Sequence, residues 1–169
     1  MRIIVSDTSC IIDLRKAALL QETLRLPYTF VTVNTLFEDE WLSLSENEKE
    51  ALCKQGLEVR DLPGPSVLRA QQYFNRHRRL KLNDCFALAL AQETEDSILL
   101  TGDGLLRRVA ADNGVQVRGV LWIADELEAH SIVSPTRLLN ALRLFQEDTL
   151  VFLPKDELLR RISRLSQTA

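Results

Sequence analysis

Acidic side chains occur in four short polar stretches that are far apart in the chain, at residues 6–9, 38–40, 83–84 and 101–103. Asp7 follows the apolar run at residues 3–5, and Asp103 follows the run at residues 98–100. A short apolar run that ends in a polar residue is typical of a buried parallel strand entering its loop, where open α/β sheets bind ligands. Carboxylates gathered there need a positive charge among them, and oxygen ligands favour Mg²⁺ or Mn²⁺. The leading hypothesis is therefore a metal–carboxylate site for phosphodiester chemistry.

Each acid also has a purely structural interpretation. Asp7 could cap the helix that follows the first strand, and Asp84 could be a charge that the dipole favours at a helix N-terminus. Asp103 could be a turn residue, and residues 38–40 could form a solvated helix face. No motif places His77 or His130 among these acids, which argues against a histidine general base.

The elements that must position the acids alternate between strand and helix. This order predicts an α/β fold of three α/β/α layers with a mostly parallel central sheet, followed by C-terminal helices. Asn34 or Thr35 is expected to cap the third helix, Ser45–Glu48 forms a capping box, and Pro63–Ser66 is a break. Strands are expected at 2–6, 28–33, 57–62, 97–101 and 115–117, and helices at about 7–16, 17–26, 35–41, 46–55, 67–79, 83–91, 105–113, 121–129, 135–146 and 155–165.

Composition limits the class of protein. A chain of 169 residues with 46% hydrophobic residues is long enough for one domain with a substantial core. Twenty-one basic and twenty-four acidic residues give a net charge of −3, which argues against a general electrostatic binder of nucleic acids. Three cysteines without CxxC spacing are expected to be reduced and buried, so the expected location is the cytoplasm. Neither a signal peptide nor a membrane span is expected.

Taken together, the motifs resemble the PIN-domain family, the fold of many toxin–antitoxin ribonucleases. The matching pieces are residues 3–9, 82–91, 99–106 and 117–122, in the family's order and spacing. The resemblance covers residues 1–130, which are expected to form a PIN-like nuclease domain. Residues 131–169 resemble the two-helix extension of a bacterial and archaeal PIN subgroup and are expected to pack on that domain.

The resemblance implies roles for individual residues. Asp7 would be the main ligand of Mg²⁺ or Mn²⁺, with Asp84 and Asp103 as the third and fourth acids. Thr101 would orient Asp103 or a metal-bound water. Glu40, followed by the apolar Trp41, fits the second acid best, and Glu38 is the fallback. The family's usual proline or serine before this helix is Asn34 here.

The implied activity is metal-dependent endonucleolytic hydrolysis of single-stranded RNA, with the chain as the toxin of a toxin–antitoxin pair. The expected partners are RNA, an antitoxin and a second copy of the chain in a homodimer. The basic run Arg76, Arg78, Arg79 and Lys81 would hold the RNA backbone, or would be a solvated charge cluster at a helix end. Arg107 and Arg108 present the same choice.

Two other functions are compatible with parts of the sequence. A catalytically weak or inactive PIN-like module that binds RNA or protein is the main alternative. A phosphatase of the haloacid-dehalogenase type would use Asp7 as nucleophile, but it needs a second aspartate two residues later, where this chain has Ser9. The apolar faces of the last two helices are expected to pack on the domain itself, and a homodimer or antitoxin contact is the alternative.

Overall fold

A computed structural model describes residues 2–168 and contains a five-stranded sheet with the order β3-β2-β1-β4-β5. All four strand pairings are parallel, so the predicted central sheet is confirmed. At the centre, β1 pairs with β4 in the register Ser6↔Leu100. The strands are β1 (Ile3–Ser6), β2 (Thr29–Val33), β3 (Glu58–Arg60), β4 (Ser97–Leu100) and β5 (Gln116–Arg118).

Helices cover both faces of this sheet, as a parallel sheet requires. The alternation of side chains along each strand divides the core in two, because Ile4 and Ile98 face one helical layer while Val5 and Leu99 face the other. The three-layer α/β/α class is thereby confirmed. The helices are α1 (Thr8–Lys16), α2 (Leu20–Thr23), α3 (Asn34–Asp39), α4 (Glu46–Lys54), α5 (Gly64–Arg76), α6 (Leu82–Glu93), α7 (Gly104–Asp112), α8 (Val120–Ala129), α9 (Pro135–Glu147) and α10 (Lys155–Thr168).

The chain order creates a crevice at the middle of the sheet. From β1 the chain moves outward to β2 and β3, then returns to the other side of β1 to form β4 and β5. The connections after β1 and β4 therefore leave the sheet toward opposite directions, and ligands bind at such a switch point. Asp7 follows β1 and Thr101 follows β4, so both lie at this point.

Helices α9 and α10 pack into the same core as α1 and α8. Leu138, Leu142, Phe145, Leu158 and Leu165 are buried in that cluster. Leu144 and Leu159, which belong to the predicted apolar faces, remain 39% and 37% exposed. In addition, Arg161 of α10 binds Asp125 of α8, with 2.6 Å between Nη2 and Oδ2. Buried apolar side chains and this ion pair thus hold α9 and α10 against the rest of the fold.

Several local boundaries differ from those expected. Asn34 is the first residue of α3 and does not cap it, and the helix ends at Asp39. Pro63–Ser66 is not a break throughout, because α5 begins at Gly64; proline in a first helical turn sacrifices no hydrogen bond. In the expected helix at 17–26 only Leu20–Thr23 is helical, and Ala18 has a φ of +53° that interrupts the helix.

Cysteine burial and helix length complete the description. Cys10 and Cys85 are buried free thiols as expected, whereas the free thiol Cys53 is exposed at the end of α4. No helix within residues 2–168 combines the length and apolar character needed to cross a membrane.

Candidate active site

Asp7 is the most enclosed acid of the site, with its side chain held between β1 and β4. Its Oδ1 accepts hydrogen bonds from the backbone N of Ser9 at 2.7 Å and from Ser9 Oγ at 2.6 Å. Its Oδ2 accepts a hydrogen bond from the Thr101 hydroxyl. Burial raises the pKa of Asp7, while the hydrogen bonds from Ser9 and Thr101 lower it and favour the ionised form. The helix-capping interpretation is also correct, because the bond from Ser9 N caps α1.

Thr101 connects the first acid to the fourth. Its buried hydroxyl donates to Asp7 and accepts a hydrogen bond from the backbone N of Asp103 at 3.1 Å. The expectation was that Thr101 orients the Asp103 side chain or a water; in the structure its partners are the Asp7 carboxylate and the Asp103 backbone. The Thr101 hydroxyl thus contacts the Asp7 carboxylate directly, whereas its hydrogen bond with Asp103 is to the backbone of that residue.

Glu40 lies one residue beyond α3 and turns toward the start of α1. Its Oε2 accepts a hydrogen bond from Thr8 Oγ1 at 2.6 Å, and its Oε1 accepts one from Asn83 Nδ2 at 3.1 Å. One residue from each of two helices, α1 and α6, therefore fixes this carboxylate. Glu38, the fallback for the second acid, and its neighbour Asp39 are exposed.

Asp84 and Asp103 each stand at the start of a helix. Asp84 Oδ2 accepts from the backbone N of Lys81 at 2.8 Å, and Asp103 Oδ1 accepts from the backbone N of Leu106 at 2.7 Å. Burial raises the pKa of Asp84 to about 6, and the neighbouring charges of Asp7, Asp103 and Glu40 act in the same direction. The negative charges of the other three acids thus make ionisation of Asp84 less favourable.

These four carboxylates line one open cavity of about 440 Å³ at the carboxyl edge of the sheet. In the described part of the chain the same lining contains a single cation, Lys81. The site cavity is therefore strongly anionic, although its acids come from four separate parts of the sequence. Its lining residues are Asp7, Thr8, Ser9, Ile12, Glu40, Lys81, Asp84 and Asp103.

The donor chemistry of the cavity suits a hard divalent cation, because every acidic group offers oxygen ligands. However, within residues 2–168 no three acidic, histidine or cysteine side chains approach closely enough to hold one ion between them. Hydrogen bonds from the protein hold each of the four carboxylates at the cavity wall. These residues offer the oxygen ligands that such an ion prefers, but no three of their side chains, as the structure describes them, lie close enough together to bind one ion.

The predicted substrate-binding residues separate into two groups. Lys81 lines the site cavity with the acids. Arg76 ends α5, and Arg78 and Arg79 follow it in the connection to α6; all three are exposed. The guanidinium carbon of Arg78 lies 5.7 Å from the centre of the Phe74 ring.

Three polar residues of the site were not predicted as such. Thr8 and Asn83 hold Glu40, and Ser9 Oγ contacts Asp7 while accepting from Gly102 N at 2.9 Å. Each is next to a predicted acid or within two residues of one, in the first turn of α1 or α6. For Thr8 and Ser9 that position was a usable signal, because the first helical turn after a strand faces the ligand crevice.

Comparisons with known proteins agree with this architecture. The family model described as "DUF3368: PIN domain" matches residues 3–167. Among solved structures, the chain is similar to a PilT N-terminus domain protein, SSO1118, from the hyperthermophilic archaeon Sulfolobus solfataricus P2. The TM-score is 0.52 with 18% sequence identity, covering 75% of this chain and 94% of the archaeal chain. The search among curated proteins found no match.

Proposed function

Because the chain belongs to the PIN-domain family, whose fold is of the nuclease type, we propose that it is a divalent-metal-dependent endoribonuclease acting on single-stranded RNA. One observation carries this proposal: carboxylates from four separate segments line one cavity at the switch point of the sheet. Structural needs alone would not gather four like charges there, since each raises the cost of ionising the others.

The ligand set would consist of Asp7, Glu40, Asp84 and Asp103, with Mg²⁺ or Mn²⁺ as the ion. Such an ion supplies an acidified water and neutralises charge that develops on the phosphodiester. Hydrogen bonds from Ser9 and Thr101 fix the orientation of Asp7 and favour its ionised form against the burial that raises its pKa. Thr8 and Asn83 do the same for Glu40 from two different helices.

Lys81 would contact the substrate phosphate. It is exposed, it lines the site cavity, and its backbone N binds the Asp84 carboxylate. A lysine ammonium is a mobile point charge that can follow a phosphate without a fixed fork geometry. The basic path for the RNA backbone would then continue away from the cavity along Arg76, Arg78 and Arg79. Each phosphate that these side chains neutralise would add to the affinity for RNA.

The toxin role, an antitoxin partner and a homodimer are further parts of this proposal. The exposed apolar side chain of Leu150, which lines a cavity together with Asp103, is compatible with a protein contact. A catalytically weak or inactive module that binds RNA or protein is the second candidate. It is favoured by the unassembled ligand shell within residues 2–168.

The deciding experiment is cleavage of an end-labelled single-stranded RNA of mixed sequence, in Mn²⁺ and in EDTA. The wild-type protein is compared with Asp7→Asn, which keeps the size of the side chain and removes its charge. Asp39→Asn, on the exposed surface of α3, is the matched control for the loss of one negative charge. Cleavage that needs both Mn²⁺ and Asp7, and survives in Asp39→Asn, supports the nuclease. Cleavage that persists in Asp7→Asn or in EDTA, or that is absent throughout, contradicts it.

A further inference from the structure

The site cavity opens into a longer groove. It shares Ser9, Ile12 and Asp103 with a second cavity of about 510 Å³. The second cavity in turn shares Asp13, Gly102, Gly104 and Phe152 with a third one of about 570 Å³. A continuous depression therefore runs from the four acids, over the loop at residues 102–104, to the space between β5, α8 and the loop before α10. We call its far end the arginine pocket; Arg107, Arg118, Gly119, Trp122 and Phe152 are among its lining residues.

Positive charge without acidic partners distinguishes the arginine pocket from the acidic end of the groove. Arg107 and Arg118 form no ion pair within residues 2–168, whereas Arg161, which also lines the pocket, binds both Asp125 and Glu157. The Nη1 of Arg107 donates to Thr101 O at 3.1 Å, and the Nη1 of Arg118 donates to Val117 O at 3.0 Å. Each guanidinium keeps further donors available, in the geometry that matches a phosphate.

The acidic residues of the pocket do not cancel this charge. Glu157 is neutralised by Arg160 and Arg161. Asp13, on α1, lies on the side of the pocket that continues into the second cavity. Gly119 leaves room for one of the two arginines, because a Cβ at this position would lie 3.3 Å from Arg107 Nη1.

Aromatic surface lies beside these arginines. Phe152 is 82% exposed in the loop between α9 and α10 and borders both the second cavity and the pocket. Trp122 lines the pocket as a partly buried ring, supported by Tyr28 with 5.7 Å between ring centroids. An aromatic face beside a free guanidinium is the combination that single-stranded nucleic acids use, because the base stacks while the phosphate pairs with the cation.

We propose that the arginine pocket binds one nucleotide of the single-stranded RNA whose scissile phosphate lies at the four acids. Arg107 and Arg118 hold the phosphate of this nucleotide, and Phe152 stacks on its base. This inference rests on the proposed function, because it takes the RNA substrate of that function as the ligand of the pocket. A base must leave its stack to enter the pocket, so the subsite selects single-stranded over duplex RNA.

The test is the affinity for a fluorescein-labelled single-stranded RNA of mixed sequence, measured by fluorescence anisotropy with the full chain in EDTA. Arg118→Gln is expected to weaken binding about tenfold and to lower the salt dependence by roughly 0.7 in the log–log slope, as one lost phosphate contact would. Phe152→Leu is expected to weaken binding about tenfold through lost stacking, and Phe152→Tyr to bind like the wild type.

Two controls make this result specific. Arg143→Gln removes an exposed arginine of α9 that lines none of the three cavities, so the affinity of this variant is expected to stay unchanged. Trp122 is a local reporter, because the other tryptophan, Trp41, is fully buried. RNA is expected to quench tryptophan fluorescence in the wild type, and much less in Trp122→Phe.

Wild-type affinity in both Arg118→Gln and Phe152→Leu would overturn the inference, and a protein segment would then be the better occupant of the pocket. A wild-type chain that binds no RNA would overturn it as well. The readout needs neither metal nor cleavage. A chain that binds RNA through the pocket but does not cleave it therefore refutes the proposed function alone, while an active nuclease that is indifferent to these substitutions refutes the pocket alone.

Discussion

The Thr101 hydroxyl donates a hydrogen bond to Asp7 Oδ2 and so joins the carboxyl ends of the two central strands. The strand residues before them, Ser6 and Leu100, are register partners in the β1–β4 pairing. Both side chains are almost inaccessible, with Asp7 3% and Thr101 0% exposed. A buried carboxylate stays ionised only where donors compensate for lost water. The contact therefore fixes the position of the proposed main ligand and favours its ionised form.

Replacing this hydroxyl should impair catalysis with a recognisable pH signature. Thr101→Val keeps the shape of the side chain and removes the donor, which raises the pKa of Asp7 because the ionised form loses a hydrogen bond. We expect about a 10- to 100-fold loss of kcat and an acidic limb of the pH–rate profile that moves to higher pH. Thr101→Ser should restore both. A Thr101→Val profile that keeps its wild-type acidic limb would contradict this role.

Glu40 and Glu38 can be separated by matched substitutions. Glu40→Gln removes the charge that Thr8 and Asn83 hold in the site cavity, so we expect activity to fall about a hundredfold or more. Glu38→Gln makes the same change two residues earlier, on the exposed surface of α3, and should leave the rate unchanged. Initial rates on the same RNA at saturating Mn²⁺ provide the comparison. Equal losses in the two variants would show that Glu40 is not the second acid.

Metal binding should be visible in thermal stability without any substrate. A ligand at 100 times its Kd stabilises the native state by about 2.7 kcal/mol, which corresponds to roughly 5–10 °C in Tm for a chain of this size. We expect Mn²⁺ to produce such a rise in the wild type and in Asp39→Asn, and a much smaller one in Asp7→Asn and Asp84→Asn. Differential scanning fluorimetry with and without EDTA measures the shift. A full rise in Asp7→Asn would exclude Asp7 as a ligand.

Asp13 should make stability depend on pH in a predictable direction. Burial raises its pKa from 3.8 to about 6; Lys16 opposes this shift, and Asp148 and Asp7 reinforce it. Between these two values the native state binds more protons than the unfolded state, so the free energy of unfolding falls as pH rises through this window. The full penalty applies above pH 6.

Asp13→Asn removes this penalty and should therefore stabilise the protein at pH 7.5. A shift of two pKa units is ~3 kcal/mol, and screening of this half-buried group reduces the expected gain to about 1 kcal/mol. The gain should be much smaller at pH 4.5 and should vanish only below about pH 3, where Asp13 is protonated in both states. Urea unfolding at pH 4.5, 6 and 7.5 measures the difference, and a gain that is equal at all three values would contradict the pKa shift as its cause.

The order of elements could be predicted because it depends on local pattern. Apolar runs such as Ile3-Ile4-Val5 mark central parallel strands whatever surrounds them. Three of the acids follow from position as well, since Asp7 directly follows β1, Asp103 comes three residues after the end of β4, and Asp84 lies in the first turn of α6. Glu40 was identified through the resemblance to the PIN-domain family. Where a capping signal has one strong candidate, as at Ser45, the predicted helix start is correct.

What could not be predicted depends on contacts between distant segments. Asparagine is a residue type that often caps helices, but Asn34 is itself the first residue of α3, directly after Val33 ends β2. The partners of Glu40 come from residues 8 and 83, and no spacing within one helix reports that meeting. Arg118 and Phe152 are 34 positions apart and unremarkable in sequence, yet the packing of α10 on α8 brings them to one pocket.

Residues 131–169 should unfold together with the rest of the chain. Leu142 of α9 is 1% exposed in the cluster that includes Ile4 and Ile98 of the sheet, while Leu144, two positions later, is 39% exposed. Leu142→Ala should cost about 2–5 kcal/mol, and Leu144→Ala well under half of that, because the partly exposed side chain leaves a smaller cavity. Urea unfolding followed by circular dichroism should show one transition for both variants. A second, earlier transition in Leu142→Ala, with the main one unmoved, would mean that the C-terminal helices form a separate unit whose loss the sheet tolerates.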